Sequence, residues 1–195
     1  ALSKQFTDGT FVAAVSLYGL LGAPLDRAKR DLSRFRTAGF GNARVWIDWG
    51  SLRDYKMDGC SVFDADGDFI EDVARKLDEL TLYGESIGMS FDLTMHADHY
   101  KTFRAPDDPE KYNISAHKLA IRNTLIRWGS RPAVRILDVA NEAEVRGKEP
   151  GSGSPATGHV SPGRFGEMMD VARSVPHTCL VGASVSGGGD FPGDV

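Results

Sequence analysis

Cysteine is scarce: Cys60 and Cys179 are the only two in 195 residues. They make neither a disulfide framework nor a metal site by spacing, so both read as free thiols. No stretch approaches the roughly 18 consecutive apolar residues that a membrane span takes. The opening ALSKQFTDGT also lacks the apolar run of a secretory signal. Numbering from Ala1 rather than Met fits a processed or trimmed start, which leaves a secreted or periplasmic location open. An excess of positive charge is missing too. The formal net charge is -4, with Lys and Arg scattered among Asp and Glu, so there is no electrostatic footing for nucleic acid. The expectation is no nucleic-acid partner and no membrane partner.

What is present suffices for a sizeable core. A hydrophobic share of 41% over this length fits one domain spanning 1–195. Strand-like runs alternate with helical ones: strands near 10–17, 43–49, 90–96, 134–141 and 179–185, and helices near 25–37, 115–128 and 164–174. The first helix carries Leu25, Ala28, Leu32 and Phe35 on one stripe and stops at Gly39. Another opens at Asp68, with Glu71 three residues on in a capping-box arrangement, and carries Val73, Ala74, Leu77 and Leu80 on one face. Asp64, Asp66 and Asp68 imitate a calcium loop, but Phe69 stands where that loop needs Gly.

Repetition of βα units predicts a parallel sheet. The connections after strands are long (52–67, 97–113, 143–163) and those after helices are short. Elaboration at the C-terminal ends of strands is the habit of (β/α)8 TIM-type barrels. A doubly wound sheet shares some of this pattern, but its Gly-x-Gly-x-x-Gly phosphate loop is missing from the first βα turn. The fold class expected is therefore α/β, a partial (β/α)8 barrel with about five parallel βα units.

The fourth strand ends Asp138-Val139-Ala140-Asn141-Glu142-Ala143, and the second is entered by Gly39-Phe40 with Arg44 on the strand itself. The third carries Asp92-Leu93 and ends at His96. These stretches resemble the retaining glycoside hydrolases of the cellulase-like clan, whose fourth strand ends in Asn-Glu and whose second strand carries an Arg. Ala143 stands where that pattern has Pro, and Gly41 where it has Asn. The resemblance runs from strand one to strand five. It implies Glu142 as catalytic acid/base, Asn141 as the residue that binds the hydroxyl beside the reacting carbon, and no metal or organic cofactor.

Alternation along a strand tests this independently. Asp138, Ala140 and Glu142 share one face; so do Arg44, Trp46 and Asp48, and so do Asp92, Thr94 and His96. Three strands thereby send polar groups inward near their C-terminal ends, where charges must be paired to be tolerated. Blander readings stand beside these. An Asn-Glu pair can simply cap a strand, and Arg44 can simply neutralise Asp138. Trp46, Trp49 and Tyr100 suit a sugar ring, yet strand aromatics are more often core. His96, Asp98 and His99 lack a third ligand at metal-like spacing. The predicted site is thus Glu142 as the catalytic residue, with Asn141, Arg44, His96, Trp46, Asp138 and Tyr100 binding a carbohydrate substrate.

Retaining hydrolysis needs a second carboxylate about 5–5.5 Å from the acid/base. The resemblance places that nucleophile on a seventh strand, which a chain truncated after strand five lacks. The alternative function is an inactive carbohydrate-binding or interaction module derived from such a barrel. Should the short chain itself turn over, Asp48 and Asp92 would be the inward-facing candidates for the missing carboxylate. Five strands also leave two open edges, from which self-association is expected.

Overall fold

The computed structural model describes residues 12–48, 60–95, 102–105, 107–141 and 162–184. Its elements in chain order are β1 (Ala14–Ser16), α1 (Leu25–Thr37), β2 (Asn42–Trp46), α2 (Glu71–Ile87), β3 (Ser90–Thr94), β4 (Arg104–Ala105), β5 (Asp108–Tyr112), α3 (Ile114–Trp128), β6 (Val134–Asp138), α4 (Pro162–Arg173) and β7 (Leu180–Gly182).

Five strands form one sheet in the order β1-β2-β3-β6-β7, every neighbouring pair parallel. Each strand is laid beside its predecessor, and the order never reverses. A doubly wound sheet has a reversal point where strand order turns back; this sheet has none. The architecture is a run of a (β/α)8 barrel wall.

Alternation divides the sheet into two chemically distinct faces. Val45, Ile47, Phe91, Leu93, Met95, Leu137 and Val139 point to the helix side and are buried. The other face carries Asn42 and Ser90, then Arg44 and Asp92, then Trp46, Thr94 and Asp138 in successive rows of the register. A register shift between Phe91 and Asp92 sets Arg135 as the extra residue on β6, so Ile136 lies beside Asp92 and Asp138 beside Thr94. That bulge brings Asp138 level with the β2 and β3 side chains.

Local chemistry explains the helix ends. Gly88 ends α2 in the left-handed conformation (φ 71°), and the Met89 N–H returns to the Gly84 carbonyl at 2.8 Å. At Gly84 an added Cβ would stand 2.3 Å from the Phe91 ring, so α2 lies directly on β3. Between α2 and α3, Asp78 accepts from Arg127, from the Trp128 indole and from Arg131. Hydrogen bonds from Arg127 and Trp128 hold its carboxyl below the usual range against the opposing pull of burial.

Three expectations change. The capping box is not formed: α2 begins at Glu71, Ile70 occupies the N-cap, and no side chain caps it. Asp64 instead accepts the N–H groups of Asp66 and Asp68, both at 3.0 Å, in a side-chain turn that bends the chain before the helix. The connection read as a loop over 97–113 contains the antiparallel pair β4–β5. Pro109 within β5 is tolerated because such a two-stranded ribbon is all edge. Strand four ends as a regular strand at Asp138, though its pairing runs on through Val139 N–H to Gly182 O and Asn141 N–H to Met95 O, both 2.8 Å. Cys60 and Cys179 are unbridged, and burial pushes the Cys179 thiol up to about 11. No described helix is long and apolar enough to cross a membrane.

Candidate active site

Arg44 is the centre of the inward face. Its position on β2 is fixed by the ladder on both sides, Ser16 on β1 and Asp92 on β3. From there its Nε donates to Thr94 Oγ1 at 3.0 Å. Its Nη2 donates to Asp138 Oδ2 at 2.7 Å and to Asn141 Oδ1 at 2.8 Å, with Ser184 Oγ at 3.0 Å. One guanidinium therefore ties together residues from four strands or strand ends, a task suited to its planar set of donors.

Asp138 is saturated as an anion. While Oδ2 takes Arg44, Oδ1 accepts the backbone N–H groups of Ala140 and Ser184, each at 3.1 Å. Asp92 is served less well. Its Oδ2 lies 3.9 Å from Arg44 Nε, and its Oδ1 receives one long bond from Thr94 at 3.4 Å. Burial first, then the neighbouring Asp138 carboxylate, pushes Asp92 up to about 6, against the pull of Arg44 and Thr94. With one cation between two acids, it is the less well-bonded Asp92 whose carboxyl is raised to about 6.

The predicted site residues Arg44, Asp138 and Asn141 come together. Trp46 lies in the row above Arg44 and is 9% exposed; Tyr18 leans on it with ring centroids 4.3 Å apart and is itself 39% exposed. Among the described residues Tyr18 is the more accessible of this aromatic pair. Glu142, His96 and Tyr100 lie outside the described residues, as do Trp49, Asp98 and His99. Asp48 is fully buried, with its carbonyl accepting from Thr102 Oγ1 at 2.7 Å. Two participants were missed in the sequence: Thr94, inward on β3 but with no charge to mark it, and Ser184, just past β7. Among the described residues no group of three or more His, Cys, Asp or Glu could hold a metal ion.

A sheet wound in one direction, with its polar groups gathered at the C-terminal strand ends, defines the class: part of a (β/α)8 barrel with a candidate site at the usual end. Solved structures of glycoside hydrolase family 5 share this fold. GH5_18 from Streptomyces cattleya, solved with GlcNAc, superposes with a TM-score of 0.61 at 18% identity, over 89% of this chain and 44% of that one. The endo-beta-1,4-glucanase Xac0029 from Xanthomonas axonopodis pv. citri gives 0.59 at 16% identity over 88% and 51%. Pseudomonas stutzeri endoglucanase Cel5A, in complex with cellobiose, gives 0.54 at 18% identity over 78% and 40%. The chain thus spans about half the length of the structures it resembles. No family model matches the sequence, and no curated protein matches it.

Proposed function

We propose that this chain is the acid/base-bearing part of a retaining glycoside hydrolase acting on β-linked oligo- or polysaccharides. The observation that supports it best is the Arg44–Asp138–Asn141 cluster, which stands at the C-terminal end of strand four immediately before Glu142 in the chain. In this reading Glu142 protonates the glycosidic oxygen as the bond breaks and later takes a proton from the attacking water. Asn141 donates to the hydroxyl beside the reacting carbon. Arg44 and Asp138 act through Asn141: Asp138 holds the guanidinium, and the guanidinium holds the amide oxygen. The covalent intermediate needs a second carboxylate, which this reading assigns to the rest of the barrel or to a partner chain. The carbohydrate ligands bound to the similar structures, GlcNAc and cellobiose among them, suit such a substrate class.

The test assays the 195-residue chain and a longer protein containing it on aryl β-glycosides, each beside Glu142→Gln. The kcat/KM of the longer protein should fall about 10²–10⁴-fold in Glu142→Gln for poor leaving groups and much less for nitrophenyl groups that leave without a proton, while kcat falls for both because the attacking water loses its base. A loss of kcat/KM independent of leaving group would remove Glu142 from the acid role. Sugar binding with no turnover in either protein would favour a carbohydrate-binding module instead.

A further inference from the structure

We propose that Ser184 is a positioning residue for Asn141, fixing its side-chain amide with the oxygen turned in to Arg44 and the NH2 group turned out as a donor to a ligand hydroxyl. The geometry begins with a shortage. Arg44 Nη2 carries two hydrogens but meets three oxygens: Asp138 Oδ2 at 2.7 Å, Asn141 Oδ1 at 2.8 Å and Ser184 Oγ at 3.0 Å. Asp138, being charged, takes the stronger bond. The second hydrogen is left to Asn141 and Ser184 together.

A serine hydroxyl can settle this because it both accepts and donates. Ser184 Oγ shares the second Arg44 hydrogen and turns its own proton to Asn141 Oδ1 at 3.4 Å, a long bond. Ser184 is itself anchored, since its backbone N–H donates to Asp138 Oδ1 at 3.1 Å. A flipped Asn141 amide would set its NH2 group against the Arg44 guanidinium, donor against donor, and would waste the serine proton. Two donors thus define one amide orientation. Because Ser184 lies past β7, it completes the arrangement from the far side of β6.

This inference deepens the glycosidase reading only in its ligand arm; the amide orientation can be measured without it. The first arm follows the Asn141 side-chain NH2 signals by 15N NMR in the 195-residue chain, assigned by their loss in Asn141→Ser. Ser184→Ala should speed exchange or rotation of that group about 3–10-fold, the usual worth of one hydrogen bond, whereas Ser184→Thr, which keeps a hydroxyl, should restore the original behaviour. Unchanged Asn141 signals in Ser184→Ala, or a folded Ser184→Thr that behaves as Ala, would overturn the proposal. The second arm titrates cellobiose and its 2-deoxy analogue. A weakening of about 3–10-fold in Ser184→Ala for cellobiose alone supports the outward NH2, and an equal weakening for both refutes it. If cellobiose binds no variant, the glycoside reading suffers while the NMR arm still decides the role of Ser184.

Discussion

Arg44 and Asp138 meet at 2.7 Å although β3 lies between their strands. The guanidinium crosses the sheet face above Asp92 and is steadied on the way by Thr94. Asp138 is almost wholly enclosed, with a side-chain exposure of 6%, so its charge depends on this partner.

Removing the cation should therefore cost more than an ordinary surface ion pair does. Arg44→Ala is expected to lower unfolding stability by about 3 kcal/mol, because it strands an enclosed carboxylate. Arg44→Lys should recover only part of this, since one ammonium cannot reach Thr94, Asp138 and Asn141 together. Urea unfolding at pH 7 measures both, and a loss below about 1 kcal/mol for Arg44→Ala would show that Asp138 finds its charge balance elsewhere.

Asp92 gives the molecule a pH signature of unusual sign. Its carboxyl titrates near 6 in the fold, above its ordinary 3.8. The folded state therefore holds the proton more tightly than the unfolded chain does. Its contribution is intact below about pH 4, declines as pH rises toward 6, and stays lost above that. Asp92→Asn is expected to be more stable than the parent at pH 7 by up to about 2–3 kcal/mol, with no such advantage at pH 4. Thermal unfolding of both proteins across that range checks it, and a stability difference that is the same at both pH values would mean that the fold does not raise the Asp92 carboxyl.

Gly67 is constrained twice. Its φ of 88° suits glycine, and an added Cβ would stand 2.1 Å from the Ala116 carbonyl oxygen in α3. Gly67→Ala should destabilise by about 2–4 kcal/mol, the sum of backbone strain and overpacking. Gly39 shares the positive φ (95°) but has open space around it. Gly39→Ala should cost only about 1–2 kcal/mol. If the two variants melt alike, the contact with α3 is not rigid.

Periodicity made the sheet and its two faces legible, because alternation is written into each strand: Val45 against Arg44, Leu93 against Asp92, Leu137 against Asp138. The same parity brought Arg44 and Asp138 into one predicted site, and the Asn-Glu resemblance at the end of strand four added Asn141. Ser184 was invisible because its place depends on register across three strand pairs, and a single serine 140 residues from Arg44 carries no local pattern. The false capping box at Asp68 and Glu71 has a related cause. The spacing was present, but Asp64 captured the N–H groups that shape the turn. Glu142, His96 and Tyr100 lie outside the described residues.

The unreversed strand order has a consequence for how the chain is made. Each strand pairs with one already synthesised, so the wall can grow in the direction of translation, one βα unit at a time. Arg44 does not share that schedule. Its anionic partner Asp138 emerges 94 residues later, and Ser184 later still. A nascent chain halted before Asp138 would carry the hydrophobic helix-side layer of its first three strands while Arg44 stayed hydrated. The scaffold is ready early, and its inward charges are among the last features to be neutralised.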